Sequence, residues 1–324
     1  MRQAYSIRRR TMLLAAASAA CALPALSQSS KALRLVVPYP PGGAVDAVAR
    51  LLAERLPASL NGRPVVVENR PGAGGNIAAM VVTQSAADGD TLLITANNHT
   101  INLSLYAKPG YVLDDFAPVA MFGTSGFALV AHPKTGFKTL ADMLAAAKAN
   151  PNSLSYGSGG NGHPAHLATE LLKSRAKVSM QHIPYKGSGP LTSDLVGGQL
   201  PIAMVSVLAA QSFAASGQLV VLAVTGKQRW PGLPDVPTVE ESGFSGYEYS
   251  AWIGVLARHG TPKTEVTTLE RQVLAIAATE DSRSRMYKQG MLLTPMGSAD
   301  FKEAIAQDAV VNRDLIRSIG LKMD

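Results

Sequence analysis

Short apolar runs alternate along the chain with segments whose apolar residues recur at helical spacing. The clearest unit begins with a run of Leu and Val at 33–37 and continues through three prolines and two glycines between positions 38 and 43. Beyond this loop, one helix face is formed by Val45, Val48, Ala49, Leu52 and Leu56. We expect Pro57 to end the helix, because proline cannot continue one. The pattern therefore predicts a strand, a tight loop and a helix in succession.

The next segments repeat this plan. A second strand is predicted at 64–68, a helix at 76–87 and a third strand at 91–95, separated by a glycine-rich loop and an Asp-Gly turn. Because a helix links the first two strands, we expect them to pair in parallel. Asn98 follows the third strand, on the side of the sheet where open α/β folds bind ligands.

The middle of the chain contains a predicted crossing between two lobes. Two apolar runs at 118–122 and 127–132 flank a Gly-Thr-Ser-Gly segment, which we interpret as this crossing. Further strands are predicted at 154–156, 180–184, 200–206, 219–225 and 247–256. Of the further predicted helices, three begin at Thr139, near His163 and at Asp300, one covers 187–196 and one ends at Ala277. Alternating strands and helices indicate the α/β class, and about 300 residues favour two lobes.

The N-terminal residues have the pattern of an export signal. Four arginines between positions 2 and 10 precede an apolar run at 12–26, and Ala25-Leu26-Ser27 fits a cleavage site. Arg9-Arg10 also resembles a twin-arginine signal. A membrane anchor fits less well, because the run is shorter than the roughly 20 residues of a span. A lipoprotein would use Cys21, but Ser18 stands where an aliphatic residue is usual. We therefore predict a signal peptide at 1–27 and a periplasmic mature protein.

Charge and cysteine content exclude several classes of function. The formal net charge of +7 falls to +3 when the four arginines of residues 1–27 are discounted. Lysine and arginine do not cluster with aromatic residues, so we predict no nucleic-acid partner. Cys21 is the single cysteine, so the mature chain would have neither a disulfide nor thiol chemistry.

Two glycine-rich loops, each before a predicted helix, are candidate anion sites. Gly42 and Gly43 would let a ligand approach the backbone next to the positive end of a helix dipole. Gly157-x-Gly159-x-x-Gly162 formally matches the dinucleotide fingerprint. That fingerprint also expects an acid about 20 residues further on, and 177–186 contains none. We therefore favour an anion site built from backbone N–H groups and Ser158, and we predict no cofactor.

Histidine, serine and aspartate do not form a catalytic or metal motif. His163 and His166 could suggest a metal, but no cluster of acids or histidines supplies further ligands. The nucleophile motif G-x-S-x-G is missing from the sequence. Asp46 could act as a general base, although near a helix start we favour a role in bracing the loop. We predict no catalytic residues, no metal and no enzymatic activity.

These motifs together resemble one family. Pro38–Arg50 reads P-Y-P-P-G-G-A-V-D-A-V-A-R and is similar to the signature loop of Bug-type periplasmic substrate-binding proteins of tripartite tricarboxylate transporters. Similar landmarks follow in order at Val65–Asn76, Asp88–Leu93, Ser155–His166, His182–Pro190 and Val236–Gly243. The resemblance extends over nearly the whole chain beyond the signal segment.

The resemblance implies a two-lobed periplasmic binding protein fold with a ligand cleft between the lobes. The first lobe would contain residues 31–125 and 247–324, and the second would contain 126–246. A monomer would capture a small carboxylated solute and deliver it to integral membrane permease subunits. The identity of the solute stays open. So does a sensing role, in which the bound solute is presented to a membrane receptor; an enzyme on the same scaffold is a third alternative.

We expect loops from both lobes to hold the ligand. The loop at 39–46 would offer backbone groups and ordered water, and the loop at 158–163 would offer N–H groups and a hydroxyl. Because neither loop contains lysine or arginine, anions would be bound through dipoles. The predicted ligand-binding residues are Tyr39, Pro40, Gly42, Gly43, Asp46, Asn98, Ser158, Gly159, Gly160, Gly162, His163 and Ser206.

Overall fold

One mixed β-sheet runs through residues 31–322, the part of the chain that the computed structural model describes. The predicted signal peptide at 1–27 lies outside these residues. The strands are β1 (Leu33–Val37), β2 (Val65–Asn69), β3 (Thr91–Ala96), β4 (Phe116–Ala131), β5 (Ser155–Ser158), β6 (Gln181–Pro184), β7 (Ile202–Ser206), β8 (Val220–Val224), β9 (Ser250–Arg258), β10 (Met291–Leu292) and β11 (Met296–Gly297).

Helices connect most of the strands. They are α1 (Ala44–Ser59), α2 (Asn76–Thr83), α3 (Asn98–Leu105), α4 (Leu140–Ala149), α5 (Pro164–Ala176), α6 (Ser188–Val196), α7 (Val207–Ala215), α8 (Lys263–Ala277), α9 (Glu280–Tyr287) and α10 (Ser298–Ser318). Short 3-10 turns lie at Ala73–Gly75, Leu113–Asp115 and Pro133–Thr135. Among the helices of residues 31–322, none combines the length and the apolar character that crossing a bilayer requires.

The same strand order occurs twice in the sheet. In the first sheet region the order is β2-β1-β3-β9-β4, with β1 parallel to β2 and β3, and β9 antiparallel to β3 and β4. In the second sheet region β5 is parallel to β6 and β7, and β4 is antiparallel to β7 and β8. The predicted α/β class and the predicted parallel pairing of the first two strands are confirmed.

Strand β4 belongs to both regions. We had expected two apolar runs broken at 123–126, but the chain stays extended from Phe116 to Ala131. The glycine at 123 has a packing role, because a Cβ there would lie 2.4 Å from the carbonyl oxygen of Leu292 on the neighbouring strand. What the sequence displays as a loop is therefore a place where two backbones approach closely.

The last helix packs against both sheet regions. Near its start, Phe301 lies edge-on to Trp252 of β9, with ring centroids 5.2 Å apart. Near its end, Leu315 and Ile316 lie in the hydrophobic cluster that includes Leu167 of α5. Helix α10 therefore spans the crossing between the two regions.

Several predicted helix boundaries were wrong. Helix α1 continues past Pro57 to Ser59, since a proline in the last turn removes one donor without breaking the turns before it. Helix α2 ends at Thr83, where we expected residue 87. Helices α3, α7 and α9 were not predicted. Each has only eight or nine residues, too short to display a clear apolar period.

Candidate functional site

The predicted ligand residues lie in four loops at the carboxyl ends of parallel strands. These loops follow β1, β3, β5 and β7, and each leads into a helix. The strand register brings the ends of β3 and β7 to the crossing, because Ala96 pairs with Ile253 and Phe127 pairs with Ser206. The loops of both sheet regions therefore face the same segment of β4 and β9, where open α/β folds bind ligands.

Asp46 braces the first loop from inside. One carboxylate oxygen, Oδ2, accepts hydrogen bonds from the Gly42 N–H at 2.9 Å and from Arg50 Nε at 2.8 Å. The other, Oδ1, accepts from Asn69 Nδ2 at 2.9 Å. Burial would raise the pKa of Asp46, but the hydrogen bonds from Arg50, Asn69 and Gly42 outweigh it and hold the pKa below its usual value. With both oxygens engaged, the carboxylate supports the loop.

Asn69 is a site residue that sequence reasoning missed. It ends β2 and pairs with Val37, so its side chain reaches the loop after β1. The Nδ2 amide donates to the Tyr39 carbonyl oxygen at 2.9 Å as well as to Asp46. The sequence could have indicated Asn69 through its position at the end of a predicted strand that pairs in parallel with β1.

The rest of the first loop is open to solvent. Pro40, Gly42 and Gly43 are exposed, and Gly42 has φ +102°, a left-handed conformation that favours glycine. Within the described residues no side chain caps the amino end of α1, where Gly43 is the N-cap residue. The N–H groups and the positive dipole end of a 16-residue helix are thus accessible to an anion.

Tyr39 connects the first loop to the loop after β3. Its hydroxyl donates to Asn98 Oδ1 at 3.2 Å. Burial raises the pKa of Tyr39, so the phenol stays protonated and acts as a donor. Asn98 is the first residue of α3 and is half-buried. Two of the predicted residues therefore contact each other and join the loops that follow β1 and β3.

Ser158 does not present its hydroxyl to the cleft, contrary to our expectation. The residue is fully buried, and its Oγ lies 2.7 Å from His182 Nε2 and 3.1 Å from the Gly160 carbonyl oxygen. This hydroxyl therefore stabilises the turn at 158–160 from the interior of the protein. The Gly160 N–H donates to Ser158 Oγ at 3.3 Å and the Gly159 carbonyl accepts from the Gly187 N–H, so the half-buried Gly159 N–H is the backbone donor of these two glycines that remains for a ligand.

Gly162 and His163 close the second loop against its surroundings. A Cβ on Gly162 would lie 2.4 Å from Leu105 Cδ2, so the loop packs directly on α3 of the first sheet region. His163 caps α5, because its Nδ1 accepts a hydrogen bond from the Ala165 N–H at 3.1 Å. Burial lowers the pKa of His163 to about 4, which leaves the ring neutral and able to cap at neutral pH.

Ser206 lies at the start of α7. It is exposed, and its Oγ accepts from the Ala209 N–H at 3.4 Å. Its strand partner Phe127 has its ring centroid 6.4 Å from that of His163. Phe127 therefore connects the start of α7 to the second loop.

A cavity of about 230 Å³ lies beside the crossing strands. Its walls come from both sheet regions and include Thr124, Phe127, Val207, Lys227, Trp230 and Met296. None of the twelve predicted ligand residues lines it. The cavity borders the predicted site through Phe127 and through Val207, which follows Ser206. Sequence reasoning missed it because its walls are dispersed along the chain and carry no motif.

Among residues 31–322, histidine, cysteine, aspartate and glutamate form no group of three or more that could hold a metal ion. His166 instead stacks on His182, with ring centroids 3.8 Å apart. The two imidazoles, one buried and one half-buried, are each hydrogen-bonded to the second loop.

Comparison with known proteins gives one consistent family. The model of the tripartite tricarboxylate transporter family receptor matches residues 48–321. Protein BugT of Bordetella pertussis is 37% identical over 265 residues, covering 81% of this chain and 81% of BugT. The solved structure of R. palustris Rpa4515 with adipate has 32% sequence identity and a TM-score of 0.76, covering 90% of this chain and 98% of that one.

A second solved structure has a similar fold. MatC from Rhodopseudomonas palustris with bound malate has 28% identity and a TM-score of 0.72, covering 88% of this chain and 98% of MatC. Similarity over this length confirms the predicted two-lobed periplasmic binding protein fold. This chain belongs to the tripartite tricarboxylate transporter receptor family.

Proposed function

We propose that the protein captures a small carboxylated solute in the periplasm and delivers it to the integral membrane subunits of a tripartite carrier. Family membership supports this role, and the relatives solved with adipate and malate support a carboxylate as the ligand class. The observation that carries the proposal is the exposed, uncapped amino end of α1 behind Gly42 and Gly43. Such a helix end favours an anion.

Each loop has its own part in this proposal. The Gly43 N–H and the amino end of α1 would bind the ligand from one side, and the Gly159 N–H would bind it from the other. Asp46 and Ser158 would support these backbones, since their oxygens are already engaged within the protein. Tyr39 and Asn98 would form one side of the cleft.

Recognition would depend on dipoles more than on fixed positive charge. Arg50 is the cation nearest to the first loop in sequence, and its Nε already donates to Asp46. An anion held by N–H groups keeps part of its hydration, so ordered water would complete the contacts. This arrangement would accept carboxylates of different length.

Ligand capture would proceed by closure of two lobes. We assign residues 31–125 and 247–324 to the first lobe and 126–246 to the second, with β4 and β9 as the connecting strands. Because a ligand contacts both glycine-rich loops only when they are close, it would favour the closed state. The repeated strand order on either side of β4 supports this division.

The remaining parts of the proposal concern maturation and partners. Residues 1–27 would be removed on export, and the mature monomer would meet its permease at the membrane. The family is one of receptors, so we propose no catalytic residue and no cofactor.

Titration calorimetry of residues 28–324 tests the proposal. Adipate, malate and a tricarboxylate would be compared with adipamide, which has the length of adipate without its charges. We expect at least one acid to bind and the diamide to give no heat. Binding of the diamide as tightly as adipate, or no binding by any acid of the panel, would overturn the carboxylate assignment. Recovery of an unchanged acid after long incubation separates binding from turnover.

A further inference from the structure

A polar cluster of three buried and two half-buried side chains lies directly beneath the second glycine-rich loop. Tyr156 donates its hydroxyl hydrogen bond to Glu170 Oε1, and Lys173 Nζ donates to the same oxygen at 2.6 Å. The imidazoles of His166 and His182 stack within the cluster, with their planes 9° apart. The predicted site uses none of these five side chains.

Each imidazole contacts a different end of the loop. At its start, His182 Nε2 lies 2.7 Å from Ser158 Oγ. At its end, His166 Nδ1 accepts a hydrogen bond from the Gly162 N–H at 3.2 Å. Between these points, the Gly159 carbonyl accepts from the Gly187 N–H at 3.2 Å, so the loop backbone is fixed there as well.

The contact to Gly162 requires one charge state of His166. A ring nitrogen accepts a hydrogen bond only when it carries no proton, so the proton of neutral His166 is on Nε2. That nitrogen is 3.9 Å from Glu170 Oε1, which is too long for a hydrogen bond. Protonation of Nδ1 would remove the acceptor and place a charge against the stacked His182 ring.

The groups around the pair favour the neutral forms. Burial lowers the pKa of His166 to about 3 and that of His182 to about 4. Lys173 adds to the lowering at both rings, and Glu170 opposes it at His182. Tyr156 stacks on both rings, and His163 is the remaining titratable neighbour of His166.

We propose that His166 and His182 are positioning residues of the ligand site, which in their neutral forms hold the loop at 158–163 in its anion-binding shape from both ends. The assignment rests on the proposed function, because it takes this loop to be one side of the carboxylate site. A strand and a helix thus fix a segment that contributes few side chains of its own.

Hydrogen exchange in the ligand-free protein tests the positioning role directly. His166→Leu removes the acceptor, whereas His166→Asn keeps an acceptor near the position of Nδ1; His182→Leu and His182→Gln form the equivalent pair at Nε2. We expect about tenfold faster exchange at 158–163 in each leucine variant, since one lost hydrogen bond is worth about that factor. The amide variants should restore part of the protection. His132→Leu is the control, because His132 lies beyond the far end of β4.

Wild-type protein gives a second measurement in case the leucine variants do not fold. Between pH 7 and pH 4, after correction for intrinsic exchange, protection of 158–163 should fall more than that of the strand core. Unchanged protection in both the variants and this pH series would overturn the proposal.

Titration with adipate separates this inference from the proposed function. We expect the leucine variants to bind about tenfold more weakly than wild type, with the amide variants between them. Weaker binding with unchanged loop exchange would refute positioning. If the leucine variants show faster exchange but wild-type protein binds no acid, the proposed function is refuted, while the role of His166 and His182 in positioning the loop at 158–163 still holds.

Discussion

Replacing Gly43 by aspartate would put a fixed carboxylate where we expect the carboxylate of the ligand. Gly43 is the N-cap residue of α1, with φ −84° and ψ 173°, which any L-residue adopts without strain. A Cβ at this position would have no other atom within 4 Å. Aspartate is a favourable N-cap and complements the helix dipole, so the variant should be more stable by about 0.5–1 kcal/mol.

The same charge should oppose the ligand. Two like charges about 4 Å apart repel by roughly 4 kcal/mol at an effective dielectric constant of about 20. Solvent exposure and salt reduce this figure, but a remainder of about 1.4 kcal/mol is already a factor of ten in affinity. We therefore expect Gly43→Asp to bind carboxylates at least about tenfold more weakly while its melting temperature is unchanged or higher.

Gly43→Asn is the matched control, because asparagine has the same shape and also caps helices but carries no charge. Calorimetric titration with adipate and a thermal melt would be performed on both variants at low and high salt. We expect the difference in affinity between the two variants to shrink as salt rises. If both variants lose affinity equally, the effect is steric. If Gly43→Asp binds as wild type does, the ligand's carboxylate does not lie at the amino end of α1.

Three further predictions concern stability and closure of the lobes. Asp46→Ala should lower the free energy of unfolding in urea by about 2–3 kcal/mol, because it leaves the Gly42 N–H and the Asn69 amide without their acceptor; a loss below about 0.5 kcal/mol would contradict the bracing role. Stability should fall as the pH is lowered from about 6.5 towards 4, because four histidines, two buried and two half-buried, have pKa values of about 3 to 4 when folded and take up protons on unfolding: His99, His166, His163 and His182. Urea titrations at pH 7 and pH 5 measure this, and equal midpoints would refute it. Small-angle scattering should show a smaller radius of gyration with saturating adipate, and an unchanged radius with bound ligand would indicate a rigid pocket.

The sequence predicted the first three strands and the loops between them closely, because their signals are local. The Leu and Val run before the first loop and the glycines within it each determine backbone conformation over a few residues. Thr139 and Asp142 form the expected capping box at the start of α4, and His163 occupies the expected helix start. Such features depend little on the rest of the molecule.

Contacts between distant segments could not be predicted in this way. Ser158 looked like a ligand contact because it lies in a glycine-rich loop, but its hydroxyl turns towards His182, which lies on a different strand. Asn69 likewise gains its role from the pairing of β2 with β1. Which side of a loop faces solvent depends on what packs beneath it, and no local pattern in this sequence carries that information.

The path of the chain through β4 and β9 has a consequence for folding. Ala96 at the end of β3 pairs with Ile253, so the first sheet region is completed only when the chain returns after building the second. The strand pairings of the second region all join residues within 127–224, so this region can form before Ile253 is synthesised. During synthesis the edge of β3 that later pairs with β9 therefore stays unpaired. Bringing Ile253 back to Ala96 closes a long loop, and we expect this step to limit the folding rate. An exposed strand edge of this kind is also the part of the nascent chain most prone to aggregate.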